Sequence, residues 1–208
     1  MKRRGTLLVL SGPSGSGKGT IVREYTDINP DVFVSVSATT RNPREGERYG
    51  VSYYYMTVDE FKKKIEENGF LEHAVFCGNY YGTPRAQVEE KLAEGVDVIL
   101  EIDVQGAFQV RENCRDAVLV FVVPPSYEHL KERLIGRGTE SMDVIAERLS
   151  MAAAELKFAC EYDYLIINDD IETAVKELSA IFTAEKCKPE NNEEFIKGVL
   201  DSALSGNC

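Results

Sequence analysis

The amino-acid sequence predicts an α/β fold in three layers, with a central parallel sheet covered by helices on both faces. Three observations predict it. Short, near-continuous apolar runs rich in branched residues recur along the chain, as strands buried on both faces require. Segments with helical periodicity and recognisable ends lie between them. The first apolar run leads directly into a glycine-rich loop and then a helical segment, which is the order of a phosphate-binding unit.

The elements follow in order. Thr6–Leu10 reads as a buried strand stopped by Ser11-Gly12-Pro13, and Thr20 to Tyr25 as helix. Thr57-Val58-Asp59-Glu60 is a capping box opening a helix toward Glu67, which Gly69 stops. Val96–Ile102 and Ala117–Val123 are the second and third core strands, the latter ended by Pro124-Pro125. Ser126 can cap a helix that runs through Ile135 and ends at Gly136. Met142 to Glu161 reads as one long amphipathic helix, Tyr164–Ile167 as the fourth core strand and Ile171–Lys186 as a further helix. Residues 37–85 differ, with shorter strands, more turns and Tyr49, Tyr53, Tyr54, Tyr55, Tyr80 and Tyr81 among the chain's 10 tyrosines. They are expected to form a small inserted subdomain. Gly136–Met142 is a polar loop with basic flanks and reads as a lid. After Cys187 the chain is polar, then places Phe195, Ile196, Val199, Leu200, Ala203 and Leu204 at helical spacing. A terminal helix docked on the core is expected, with a partner-binding helix as the alternative. The predicted organisation is one domain over 5–186 (core 5–36 and 86–186, insertion 37–85, lid about 136–142) and an extension over 187–208.

Composition narrows the function. With 208 residues, 43% of them hydrophobic, the chain can bury the core of a single domain. Its 24 basic and 35 acidic residues give −11 at neutral pH, a surface that a nucleic-acid backbone would repel. Runs such as Ala117–Val123 are too short to span a bilayer. The basic start Met1-Lys2-Arg3-Arg4 is followed by an apolar stretch ending at Ser11, a poor secretory signal. Cys77, Cys114, Cys160, Cys187 and Cys208 are scattered, without metal-knuckle spacing. They read as reduced thiols of a cytoplasmic protein.

The loop Gly12-Pro13-Ser14-Gly15-Ser16-Gly17-Lys18-Gly19-Thr20 carries the first chemistry. Its glycines let several backbone N–H groups converge on one phosphate at the start of a helix. Lys18 adds a mobile charge for the β and γ phosphates. The strict pattern has Ser or Thr directly after the lysine, where this chain has Gly19, so Thr20 is the nearest hydroxyl for a metal ion.

Five further segments stand in sequence: Ser37-Ala38-Thr39-Thr40-Arg41-Asn42-Pro43-Arg44-Glu45-Gly46-Glu47, Gly78-Asn79-Tyr80-Tyr81-Gly82-Thr83, Glu101-Ile102-Asp103-Val104-Gln105-Gly106, Arg133-Leu134-Ile135-Gly136-Arg137-Gly138-Thr139 and Ile167-Asn168-Asp169-Asp170. They resemble, in order, the signature segments of guanylate kinases, over roughly residues 5 to 186. Gly19-Thr20 is similar to the variant loop of nucleoside monophosphate kinases. Thr83 stands where some members have serine, and Glu101 where some have aspartate. The resemblance implies the P-loop three-layer fold with a GMP-binding insertion and a lid. It implies transfer of the γ-phosphoryl group of ATP to GMP, and to dGMP, with Mg²⁺, in purine nucleotide metabolism and GMP recycling. GMP and ATP would then be the small-molecule partners, without nucleic acid or membrane, with monomer and homo-oligomer both open.

The resemblance also distributes roles. Arg41 and Arg44, whose guanidinium forks can grip one phosphate, would hold the GMP phosphate with Tyr53 and Tyr81. A solvated basic turn is the plain alternative, and Tyr54 and Tyr55 read as packing. Guanine presents two adjacent N–H donors, which one carboxylate accepts together. The resemblance gives that role to Glu72, helped by Asp103, with Ser37 and Thr83 as hydroxyl partners of the base. Read without the family, Glu72 serves equally well as a surface strand residue paired with lysine. Glu101 and Asp103, two apart at the end of a strand, should share one face near Lys18, and Glu101 joins Thr20 as a candidate Mg²⁺ ligand. Arg133 and Arg137, four apart on one helical face, and Arg148 would stabilise the transferring phosphoryl group; an exposed helix face is the alternative. Asn168 would lie near the adenine of ATP. Two rival functions share this core, a non-catalytic guanylate-kinase-like interaction domain and a sugar-phosphate kinase. Lys18, Arg41 and Arg137 weigh against the first, and Glu72, Thr83, Tyr81 and Asp103 against the second.

Overall fold

The structure, a computed structural model, describes residues 3–136 and 141–205. In chain order the elements are β1 (Leu7–Ser11), α1 (Lys18–Ile28), β2 (Phe33–Val34), β3 (Ala38–Thr39), β4 (Tyr54–Tyr55), α2 (Val58–Glu66), β5 (Phe70–Phe76), β6 (Asn79–Pro84), α3 (Arg85–Ala93), β7 (Val98–Glu101), α4 (Val104–Asn113), β8 (Val118–Val123), α5 (Tyr127–Gly136), α6 (Met142–Glu155), β9 (Tyr164–Ile167), α7 (Ile171–Cys187) and α8 (Glu193–Ser205). Single 3₁₀ segments follow α6 (Leu156–Glu161) and α7 (Pro189–Asn192).

The core sheet runs β2-β7-β1-β8-β9 with every pairing parallel. Strand β1 lies at its centre, Leu8 opposite Ile99 on one side and Val118 on the other. Alternate side chains point to opposite faces. Leu8 and Leu10 join Ile21, Tyr25, Leu178 and Phe182 beneath α1 and α7. Leu7 and Val9 join Leu71, Val88, Leu92 and Val110 beneath α3 and α4. Each fully buried aliphatic side chain contributes about 1.5–3 kcal/mol relative to exposure. The all-apolar strands are therefore the main source of stability, and three layers are the arrangement that covers both their faces.

The inserted residues form a second sheet, β4-β3-β6-β5, around Ala38, Phe61 and Phe70. The Phe61 and Phe70 rings stack at 4.3 Å. Thr57 and Glu60 form the expected capping box at the start of α2. Strand β5 is also fixed to the core: Asn113 Nδ2 on α4 donates to the Leu71 carbonyl at 2.8 Å, and Leu71 itself is buried in the core cluster.

Two expectations need correction. The helix expected over 142–161 ends at Glu155 and tightens into a 3₁₀ turn. The chain must bring the Tyr162 ring onto Phe121, at 4.8 Å between centroids, and Asp163 N–H onto the Leu119 carbonyl before β9 begins. Helix α8 forms but does not dock: none of its residues is buried, and Phe195 is 66% exposed. Asn191 and Asn192 donate to carbonyls of Glu185, Lys186 and Lys188, which turns the chain sharply after α7. Among the described residues, no helix is long and apolar enough to cross a membrane.

The β5–β6 hairpin turns through Cys77 and Gly78, with φ of 47° and 75°. Two positive φ values define the tight turn that favours Asn-Gly, and a cysteine Cβ is strained there. Cys77→Asn should stabilise the protein by about 1 kcal/mol, read as an upward shift of the denaturation midpoint at unchanged m-value. A lower midpoint would show that the thiol makes a contact worth more than the strain.

Candidate active site

Ligands of open parallel sheets bind outside the carboxyl ends of the strands, and the predicted residues gather there. Beyond β1, Ser16 N–H donates to the Pro13 carbonyl, and Thr20 and Ile21 N–H to the Gly17 carbonyl, so the loop curls into the first turn of α1. Lys18 Nζ folds back over it, donating to the Gly12 carbonyl at 2.5 Å and the Pro13 carbonyl at 3.2 Å. Asn168, buried just past β9, donates through Nδ2 to the Ser16 carbonyl at 2.7 Å. Arg133 on α5 donates to the same carbonyl at 3.3 Å and to the Asn168 carbonyl at 2.8 Å. Arg148 on α6 reaches Ser14 Oγ at 3.0 Å. Three segments distant in sequence thus meet on one loop. Asn168, expected beside adenine, has its amide on the loop's backbone. Arg137 and most of the expected lid, 137–140, lie outside the described residues.

The clamp leaves no room at position 17. A Cβ there would stand 2.1 Å from Asn168 Nδ2, and φ is +97°. The next glycine makes space for an anion: a Cβ on Gly19 would lie 3.4 Å and 3.5 Å from the two Glu101 carboxylate oxygens. Glu101 ends β7. Its carboxyl is pushed up by burial, against the pull of Lys18. Glu101 and Asp103 do not share a strand face as expected, because β7 stops at Glu101 and Asp103 caps α4, its Oδ1 accepting from Gly106 N–H at 2.8 Å. Glu101 lies over the phosphate loop, whereas Asp103 faces Glu72. Among the described residues no group of three His, Cys, Asp or Glu could hold a metal. Thr20, the other candidate ligand, is exposed on the first turn of α1.

The second sheet carries the remaining residues. Glu72 on β5 is 7% exposed, which removes the surface-pair reading. Thr83 Oγ1 on β6 donates to its Oε1 at 2.7 Å. Burial pushes the Glu72 carboxyl up to about 7, with the Asp103 charge adding to the rise and the Thr83 bond opposing it. Ser37 stands just before β3, whose Ala38 pairs with Gly82 beside Thr83. Arg41 lies over the Tyr53 ring, 5.4 Å from its centroid, and Tyr53 meets Tyr81 edge to face at 6.0 Å. Arg44 is exposed one turn away.

Glu47 is the residue that sequence reasoning left without a role. Its carboxylate accepts from Arg41 Nη2 at 2.8 and 3.0 Å, from Arg44 N–H at 2.8 Å and from the Tyr55 hydroxyl at 2.8 Å. These bonds, that from Arg41 foremost, hold it at about 2. Tyr55 thus packs its ring beside Tyr53, 6.0 Å between centroids, and also donates its hydroxyl to Glu47. The available signal was the spacing of an acid six residues after Arg41 across a Pro and Gly turn.

Comparisons with known proteins point to one family. A family model described as guanylate kinase matches residues 4–185. The guanylate kinase of Clostridium perfringens (strain SM101 / Type A) is 51% identical over 193 residues, 93% of this chain and 89% of that protein. That of Desulfitobacterium hafniense (strain Y51) is 50% identical over 198 residues, 95% and 99% of the two chains. The crystal structure of guanylate kinase from Anaplasma phagocytophilum superposes with a TM-score of 0.71 at 38% identity, covering 90% of this chain and 89% of that one.

Gly17→Ala tests the loop geometry. The positive φ alone should cost ~1–2 kcal/mol, and displacement of Asn168 should weaken ATP binding at least ~10-fold, a change of about 1.4 kcal/mol. Calorimetric titration with ATP, beside a thermal melt, measures both. Unchanged affinity would mean that the clamp on Ser16 does not shape the phosphate site.

Proposed function

This chain belongs to the guanylate kinase family and transfers the γ-phosphoryl group of ATP to GMP, giving ADP and GDP, and we propose the following division of labour among its residues. The observation that carries the proposal is the buried Glu72 carboxylate, held by Thr83 beside Asp103. A carboxylate that has lost most of its water needs donors. The guanine N1–H and exocyclic amine supply two in the spacing of its oxygens. Adenine offers no such pair, so against adenine the anion would stay unsatisfied. Thr83, Asp103 and Ser37 complete the recognition of the base, and dGMP, which carries the same base, is accepted as well.

Arg41 and Arg44, with the Tyr53 and Tyr81 hydroxyls, hold the acceptor phosphate. Glu47 keeps the Arg41 fork in place from behind. At the other edge the loop 12–20 binds the ATP phosphates through backbone N–H groups, and Lys18 exchanges its carbonyl partners for phosphate oxygens. An acceptor phosphate oxygen attacks the γ-phosphorus as the bond to the ADP oxygen breaks. The acceptor is already ionised, so no general base is needed and catalysis rests on positioning and positive charge. Lys18, Arg133 and Arg148, with Arg137, supply that charge. Asn168 acts through Ser16 on the shape of the loop. Mg²⁺, when bound with ATP, neutralises charge on the β and γ phosphates. Glu101 and Thr20 would hold it, and an oxygen anion packed against Gly19 beside Lys18 suits a hard cation that also takes phosphate ligands. The reaction belongs in the cytoplasm, where both nucleotides occur.

Two predictions follow from these roles. Arg41→Ala should raise the KM for GMP by at least ~10-fold, about 1.4 kcal/mol, and leave that for ATP nearly unchanged. A shift confined to ATP would move the acceptor out of the second sheet. Glu72 gives a pH signature with two opposed slopes. GMP binding needs the carboxylate, so affinity should rise with pH until about 7 and then level off. The protonated buried acid is the better tolerated form. The stability it lends the GMP-free protein is complete below 4.5, the ordinary value, and is lost as pH rises through about 7. Glu72→Gln should flatten both slopes and lower the GMP-over-AMP ratio of kcat/KM by roughly 10- to 100-fold. Identical pH profiles and an unchanged ratio in wild type and variant would remove Glu72 from base recognition.

A further inference from the structure

Gly106 is a buried glycine inside a helix. Its φ lies outside the left-handed region, so alanine could adopt the same backbone. Alanine would favour the helix by about 1 kcal/mol. The glycine therefore needs a reason other than conformation, and its surroundings supply one. A Cβ at 106 would stand 3.0 Å from Glu72 Oε2, 3.3 Å from Ile102 Cδ1 and 3.4 Å from Asp103 Oδ1. All three contacts are tight, and two are with the carboxylates assigned to guanine.

Glu72 has nowhere to retreat. Its Oε1 accepts from Thr83. The backbone is tied to α4 on both sides of it: Asn113 Nδ2 donates to the Leu71 carbonyl at 2.8 Å, and His73 N–H donates to Gln109 Oε1 at 3.1 Å. Asp103 is equally committed, since its Oδ1 accepts from the Gly106 N–H itself. An added methyl group must therefore shift a carboxylate oxygen or fill the space in front of it.

We infer that Gly106 is a specificity-determining position, whose missing side chain sets where the free oxygen of Glu72 meets the guanine edge. The inference rests on the assignment of Glu72 to guanine. Gly106→Ala should raise the KM for GMP by about 10-fold, since displacements of this kind are costly in a positioned site. The KM for ATP should stay within about two-fold; the gain in helix propensity offsets part of the crowding, so the melting temperature should change little. Gly106→Ala, Glu72→Ala and the double variant form a cycle, read as kcat/KM for GMP. If Gly106 works through the Glu72 carboxylate, the alanine at 106 should add little once Glu72 is truncated. Two results would overturn the inference: equal loss toward GMP and ATP with a lowered melting temperature, which marks a packing glycine, or additive losses in the cycle. A separate failure, in which Glu72→Ala leaves the GMP term unchanged, would overturn the assignment of Glu72 instead. If Glu72→Ala raises the GMP term and Gly106→Ala does not, the assignment stands and the inference about Gly106 falls.

Discussion

Both faces of β1 are buried and both its edges are paired, so the point at which the chain leaves the sheet is fixed from every side. The phosphate loop starts at that point and inherits its rigidity. It is also held from an edge of the sheet, where Asn168, just past β9, sets its amide on the Ser16 carbonyl. The loop is thus held at its root by the central strand and at its crest by an outer one. Arg133 bridges the two, because it binds the carbonyls of both Ser16 and Asn168. On the proposed reading, a loop held in this way would meet the phosphates already shaped, which lowers the ordering that binding would otherwise require.

The chain carries −11 overall yet gathers Lys18, Arg133 and Arg148 on one loop and sets Arg41 beside the second sheet. Its partners at the two edges of the cleft differ in kind. Lys18 and Arg133 donate to neutral carbonyls, and Lys18 also acts on the Glu101 carboxyl; on the proposed reading a phosphate oxygen would replace those carbonyl bonds with stronger charge-assisted ones. Arg41 is bonded to a full carboxylate at 2.8 Å. Glu47 is itself held by Arg44 N–H and Tyr55, so it orients Arg41 rather than yielding it.

Much of this was legible before any coordinates. The core strands announce themselves because their near-continuous apolar runs leave no polar alternation to confuse with a helix, and the capping box at Thr57 and the glycine stops mark local chemistry. The phosphate loop was readable from its glycines and lysine between a strand and a helix, whereas the roles expected of the arginines came only with the family resemblance. What escaped depends on distant segments meeting. Helix α4 has a mixed face, with Phe108 beside Gln109 and Arg111, and becomes a helix because Asp103 caps it and β5 packs on it. Glu47 acquires its role only when the 41–47 turn folds back and Tyr55 arrives from β4. The pairing of Glu101 with Asp103 failed because the strand ends at Glu101 and Asp103 caps the next helix. The long helix after Met142 failed because a tertiary contact, Tyr162 on Phe121, outweighed local propensity.

Helix α8 presents Phe195, Ile196, Val199, Leu200 and Leu204 to water, each between 48% and 66% exposed. Isolated apolar side chains are ordinary on a protein surface, but five on one helix form a patch of the kind that promotes self-association. Mutual repulsion between molecules opposes that association, and here it comes from an excess of carboxylates. Colloidal stability is therefore tied to titration. Acidification that neutralises the surface acids removes the repulsion while the sticky helix stays in place, so the folded protein should leave solution well before its core is threatened.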